Sequence, residues 1–249
     1  SVKGEIEFDH VSFAYPEAGE NVLTDISFKA KKGQTIAVIG STGSGKSTLI
    51  NLIPRYYDVT KGSVKVDGVD VHDMTQKELR DKLGYVPQKG VLFSGTIDSN
   101  IRYGKPEITD AQVKEAAEVA QATEFIDTKP EKYESPVSQG GTNVSGGQKQ
   151  RLSIARAIAK DPEIFIFDDS FSALDFKTDS QLRKALKEYT KDATTVIVAQ
   201  RISTILGADQ IIVLDDGHMA GIGTHKELMA NCEVYQQIAR SQLSEEELA

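Results

Sequence analysis

The chain has no run of about 18 consecutive apolar residues, the length a membrane-crossing helix needs. No signal-peptide pattern opens it. Its single cysteine, Cys232, excludes an intrachain disulfide and suits a reducing compartment. Positive charge is in deficit: 29 Lys and Arg against 37 Asp and Glu leave a formal net charge of −8. That argues against a nucleic-acid binder whose affinity comes from an overall positive field, while leaving a local basic patch open. Internal repeats and low-complexity segments are missing too. The first residues, Ser1-Val2-Lys3-Gly4, lack an initiator Met, as expected of a piece of something longer. The remaining possibility is a globular chain of 249 residues, enough for one large α/β domain or two closely packed subdomains.

Against these absences stands a glycine-rich run. Residues 40–47 read Gly-Ser-Thr-Gly-Ser-Gly-Lys-Ser, matching the phosphate-loop pattern G-x-x-x-x-G-K-[ST] at every position. An apolar, β-branched run, Thr35–Ile39, precedes it, and a helix-like run, Ser47–Ile53, follows. This strand–loop–helix context is what gives the pattern meaning. Glycines let the backbone fold around an anion with several N–H groups pointing inward, and the helix start adds its positive dipole end. The residues expected to hold a nucleoside triphosphate here are Ser41, Thr42, Gly43, Ser44, Gly45, Lys46, Ser47 and Thr48. Lys46 can reach the β- and γ-phosphates, and the Ser47 hydroxyl can ligate Mg²⁺.

Strand-like runs are predicted at residues 5–11, 26–30, 35–39, 62–66, 83–86, 164–167, 194–198 and 210–214, with a strand or turn at 217–223. Helices are predicted at 75–83, 111–122, 123–127, 146–159, 178–189, 225–230 and 234–241. Residues 128–145, with Pro130, Pro136, Gly140 and Gly141, are expected to form a loop. The acidic tail 244–249 is expected to fray. The stretch from about 90 to 145 therefore looks like a helical insertion within an α/β core.

Ile164-Phe165-Ile166-Phe167-Asp168 places a carboxylate at the end of a buried strand. In phosphate-loop NTPases an Asp at such a strand end holds Mg²⁺ opposite the Ser/Thr ligand, because a hard dication wants firmly placed oxygens. Residues 144–148 read Val-Ser-Gly-Gly-Gln, followed by Lys149-Gln150-Arg151. A Ser-Gly-Gly turn at a helix start exposes N–H groups and a hydroxyl, a ready site for a γ-phosphate; alone it would serve equally as an ordinary N-cap.

Together with the phosphate loop and Asp168, this run resembles the Leu-Ser-Gly-Gly-Gln signature of the ATP-binding-cassette family, with Val144 in place of the usual Leu. The resemblance covers nearly the whole chain. It implies an α/β fold with a P-loop NTPase core (a mostly parallel sheet), an antiparallel β subdomain and a helical subdomain bearing the signature. It implies one nucleotide-binding domain over 1–249, with core and β parts at about 1–88 and 161–249 and the helical part at about 89–160. Tyr15 resembles the aromatic that stacks on adenine, and Gln88, after Tyr85-Val86-Pro87, the Q-loop glutamine that touches Mg²⁺ and senses a transmembrane partner. Taken alone, Tyr15 is more often a plain packing residue and Gln88 a solvated loop residue. Ser172–Asp175 resembles the D-loop. The implied ligands are ATP, held by Tyr15, residues 41–48 and, across a dimer, Ser145, Gly146, Gly147 and Gln148, and Mg²⁺, held by Ser47, Gln88 and Asp168.

Val91–Ile97, then Asn100-Ile101 and Tyr103-Gly104, resembles the wording of exporters that carry membrane and nucleotide domains in one polypeptide. Gly4–Phe8 through Val11–Phe13 looks like the join after such a membrane domain. The segment 136–141 sits where these exporters have a loop facing the membrane domain, although Ser138-Gln139-Gly140 departs from the usual acidic Gly-Glu wording. The implied location is the cytoplasmic face of the cell membrane, with a transmembrane domain as partner and no nucleic acid.

Two departures fall on catalytic positions. After the Mg²⁺ Asp, hydrolytic cassettes carry a Glu that polarises water; here it is Asp169, one methylene shorter. Before Arg201 the family carries a His that contacts the γ-phosphate; here it is Gln200, which donates a hydrogen bond but carries no proton charge. Loss of a well-placed general base typically costs about 10²–10⁴ in rate. With Gln88, these two form the catalytic set. The expectation is a site that holds MgATP but turns it over slowly. The good signature would complete the competent site of a different, head-to-tail partner cassette with an intact Glu and His. The alternatives are a homodimeric exporter in which Asp169 and Gln200 are tolerated, a cassette ATPase of DNA repair or translation without a membrane domain, and a nucleotide-gated clamp.

Overall fold

The computed structural model describes residues 3–103 and 105–248. Gly104, at the end of the exporter-like stretch, lies outside them, as do Ser1, Val2 and Ala249. In chain order the first elements are β1 Ile6–Phe13, β2 Leu23–Ala30, β3 Thr35–Gly40, α1 Lys46–Asn51, β4 Lys61–Val66, β5 Val69–Asp70 and α2 Gln76–Asp81. Then come β6 Leu83–Val86, β7 Gly95–Thr96, α3 Ile97–Arg102, α4 Asp110–Val119, α5 Thr123–Asp127, β8 Pro136–Val137, α6 Gly146–Ala159, β9 Ile164–Asp168 and α7 Phe176–Tyr189. The last are β10 Thr194–Val198, β11 Gln210–Asp215, β12 His218–Gly223, α8 His225–Asn231, α9 Glu233–Gln242 and α10 Glu245–Leu248. Contacts divide the chain into a first unit, Ser1–Leu83 with Asp192–Ala249, and a second, Gly84–Lys191.

In the first unit the strand order β12-β11-β3-β10 is mostly parallel. β3 runs parallel to β10, with Val38 opposite Val198, and parallel to β11, with Val38 opposite Ile212. Its centre, Ile36–Ile39, is buried, the continuous apolar run expected of a strand covered on both faces. β12 adds an antiparallel edge. A second sheet, β2-β1-β4-β5, is antiparallel and stacks Phe8 on Phe28 at 4.6 Å. Behind β11, Leu228, Tyr235 and Ala239 of the C-terminal helices join one apolar cluster with Ala37, Ile39, Ile211 and Val213.

In the second unit, α6 buries eight of its 14 residues, and β9, apolar and buried through Phe167, pairs with β6. α3, α4 and α6 each begin with a capping box at Thr96, Thr109 and Ser145, which satisfies first-turn N–H groups reciprocally. The α/β class, with a mostly parallel sheet and an antiparallel one, is the class expected from sequence.

Three local differences have physical causes. The 128–145 loop contains β8, because buried Val137 pairs with Gly95 in a strand too short to show a period. α3, only six residues long, was equally invisible to periodicity. The acidic tail forms the single turn α10, capped by Ser244, whose Oγ accepts from the Glu247 N–H.

Candidate functional site: phosphate loop, carboxylates and signature

In the first unit the phosphate loop leaves the end of β3 and enters α1. Gly40 has no room for a side chain: a Cβ there would lie 2.5 Å from Leu214 O and 2.6 Å from Ser44 Oγ. At Gly45 the backbone is left-handed (φ 103°), and a Cβ would meet Leu23 Cδ2 at 2.8 Å. Gly43 is also left-handed, at φ 79°. Ser44 is buried, and its Oγ has no hydrogen-bond partner among the described residues. The α1 N-cap, Gly45, supplies no side-chain cap. A buried orphan hydroxyl beside an uncapped helix start, in a loop that turns through left-handed Gly43 and Gly45, fits an anionic phosphate. Lys46 Nζ donates to Gly40 O at 2.6 Å, which folds the ammonium over the loop. Ser41, Thr42 and Ser47 are exposed.

Tyr15 lies half-buried in the same unit, its hydroxyl 2.9 Å from Thr48 Oγ1. Phe13 and Tyr57 pack against its ring at 4.9 and 5.2 Å, close to perpendicular. Gln200 follows β10 by two residues. Because β10 and β3 are parallel and in register at Val198 and Val38, Gln200 and the phosphate loop leave the same end of that sheet. The Gln200 loop is pinned by Gln242 of α9, which donates to Gln200 O (2.7 Å) and accepts from the Ile202 N–H (2.8 Å). Sequence reasoning missed Gln242, Phe13 and Tyr57. For the aromatics the signal was present, since they flank Tyr15 and the phosphate-loop helix.

In the second unit Asp168 ends β9 and accepts, at 3.5 Å, from Tyr85 Oη. Asp169, the next residue, is left-handed (φ 50°), a conformation that Asp and Asn adopt more readily than most residues. Its Oδ2 accepts from Gln88 Nε2 at 3.3 Å, so two of the three expected catalytic groups are in contact. The signature opens α6: Ser145 Oγ accepts from the Gln148 N–H (3.1 Å), and Gln148 Oε1 from the Ser145 N–H (3.2 Å). Gly146 has nothing within 4 Å of a built Cβ, and Gly147 only Ala173 O at 3.7 Å. Neither glycine is demanded by the described part of this chain, unlike Gly40 and Gly45. In the D-loop, Asp175 caps α7; hydrogen bonds from the Thr178 N–H and hydroxyl hold its carboxyl below the usual range.

Residues 23–172 match the family model described as ABC transporter. A Staphylococcus aureus protein named "Putative multidrug export ATP-binding/permease protein" is 47% identical over 236 residues, 95% of this chain and 41% of its own length. An uncharacterized ABC transporter ATP-binding protein of Mycobacterium bovis is 48% identical over 244 residues, 97% of this chain and 42% of its own. A solved bacterial Atm1-family ABC exporter with ATP bound superposes with a TM-score of 0.92 at 38% identity, over 98% of this chain and 43% of that one. The chain thus spans about two fifths of the relatives it matches. With its matched segment running through phosphate loop, signature and strand-end carboxylate, the chain belongs to the ABC transporter family, that is, to the ABC-type ATPases.

Proposed function

We propose that the chain is the ATP-binding and ATP-hydrolysing motor domain of an exporter, slow at its own site. The observation that carries the reading is the contrast between an intact phosphate cradle and a shortened carboxylate, Asp169, already held by Gln88. Tyr15 stacks the base. The loop N–H groups, Ser44 and Lys46 hold the phosphates. Ser47, Asp168 and Gln88 would hold Mg²⁺, which neutralises charge on the phosphate oxygens. Asp169 and Gln200 are left to orient water, the first short of reach and the second without a proton to shuttle.

Ser145, Gly146, Gly147 and Gln148 serve the nucleotide of a second cassette, docked head to tail, with its own Glu and His. Two signature glycines that their own surroundings do not require support this role. The membrane partner is supported by the named export role of the Staphylococcus aureus relative and by exposed Val91, Phe93 and Tyr103. In that reading the domain works at the cytoplasmic face of a cell membrane, without nucleic acid.

The test is single-turnover hydrolysis by the chain beside its Asp169→Glu/Gln200→His variant, at saturating MgATP with affinity measured separately. The variant is expected to turn over about 10² times faster or more, with similar affinity. Equal rates would make Asp169 and Gln200 working substitutes and a homodimeric exporter the better reading.

A further inference from the structure

Gln150 follows the signature by two residues, in the second turn of α6, and its side chain is only 1% exposed. Among the described residues, all three hydrogen bonds of its amide go to main chain. Oε1 accepts from the Gly90 N–H at 2.6 Å. Nε2 donates to Pro87 O at 3.0 Å and to Ser170 O at 2.8 Å. Pro87 and Gly90 bracket Gln88, and Ser170 follows Asp169 directly. Ser170 is fully buried and donates to Val86 O at 2.7 Å, closing the ring of bonds on the other side. Gly90 lies directly on the helix: a Cβ there would meet Lys149 O at 2.9 Å and Ser153 Cβ at 3.1 Å.

We infer that Gln150 is a positioning residue that fastens Gln88 and Asp169 to the signature helix. One buried amide holds the backbone on both sides of Gln88 and the peptide after Asp169, so that this pair takes its position from the helix that begins Ser145–Gln148. A buried amide with both its donors and its acceptor engaged has a single low-energy arrangement, and a shift of α6 carries its partners with it. What a partner's nucleotide does at the signature thereby reaches this chain's own Gln88 and Asp169. The consequence for turnover rests on the ATPase reading above; the linkage itself does not.

Gln150→Met keeps the bulk and removes every polar atom. The first measurement is amide hydrogen exchange of the nucleotide-free chain. Gly90 exchange should accelerate at least about tenfold, with protection in β3 and β11 unchanged. The second is single-turnover hydrolysis in two backgrounds. Gln150→Met should lower the rate roughly tenfold to hundredfold in the otherwise unchanged chain, and by less than about twofold on top of Gln88→Ala, each background being measured at its own saturating MgATP and its affinity left unaltered by Gln150→Met. A merely structural glutamine would give losses that multiply, and that result overturns the proposal, as does unaltered Gly90 exchange. Should Gln150→Met lose protection in β3 as well, Gln150→Glu decides. It keeps an acceptor for Gly90 and, ionised, has no donor for Pro87 or Ser170, so an unchanged rate with Gln88 present overturns the proposal. If the chain fails to bind MgATP at all, the ATPase reading falls alone, and Gly90 exchange still decides the linkage.

Discussion

The two units hold their functional groups by different means. In the first, the phosphate loop is shaped by main chain: the register of β3 with β10 and β11, a Gly40 with no room for a Cβ, and a left-handed turn into α1. In the second, Asp168, Asp169 and Gln88 are placed by side-chain hydrogen bonds, from Tyr85 to Asp168 and from Gln88 to Asp169. A main-chain cradle depends on backbone conformation more than on the reach of any one neighbouring side chain. Side-chain placement depends on reach, so in the proposed reading the shorter carboxylate of Asp169 would be felt directly.

The largest effect that would break this contrast lies at Lys46. Lys46→Ala removes the ammonium and should weaken MgATP binding about a hundredfold, since charge-assisted hydrogen bonds to phosphate are the strong ones. Thermal stability should change little. Equilibrium binding showing less than about a threefold loss would mean that the loop main chain alone suffices.

Next in size is the support behind Gln200. Tyr235 of α9 is fully buried against β11, and its hydroxyl lies 2.6 Å from His225 Nδ1. Burial pushes its pKa from 10.0 up to about 12. The folded state thus favours the neutral phenol. Its contribution is fully present below about pH 10 and is lost as pH rises toward about 12, amounting to roughly 2–3 kcal/mol. Urea unfolding between pH 8 and 12 should show Tyr235→Phe less stable at pH 8, and the gap closing as the pH climbs. A constant gap would show that folding does not shift the Tyr235 phenol.

Where glycine is forced and where an apolar run ends, the sequence was informative. The loop at 40–47, the strand end at Asp168 and the Ser145-to-Gln148 box all leave a pattern within a few residues. The chain's own supports leave none. Gln150 reaches back about 60 residues to Pro87 and Gly90, and Gln242 reaches 42 to Gln200. A polar side chain that satisfies distant main chain follows no period and looks, in sequence, like any surface glutamine. The pairing of β7 with β8 was hidden likewise, by a length of two residues.

The signature sharpens the contrast from the second unit. Ser145→Ala removes the N-cap of α6 and should cost about 1 kcal/mol of stability. In a mixed dimer it should also slow the partner's turnover while sparing this chain's own MgATP affinity. An unaffected partner would sink the head-to-tail composite site.

The smallest effect is the one most specific to the first unit. Tyr15 contributes a ring, fixed nearly perpendicular to Phe13 and Tyr57, and a hydroxyl bonded to Thr48 Oγ1. If the ring does the binding and the hydroxyl only sets its attitude over the first turn of α1, Tyr15→Phe keeps most of the affinity. A half-exposed neutral hydrogen bond contributes about 0.5–1 kcal/mol, so the loss should be about two- to fivefold. Thr48→Val should produce the same loss from the other end, and the two together little more than either alone, because both remove one bond. Tyr15→Ala should lose about ten times more than Tyr15→Phe, the ring's stacking being the larger part. Were Tyr15→Phe as damaging as Tyr15→Ala, the nucleotide would depend on a side-chain hydrogen bond in the first unit as well, and the division between main-chain binding and side-chain chemistry would fail at its strongest point.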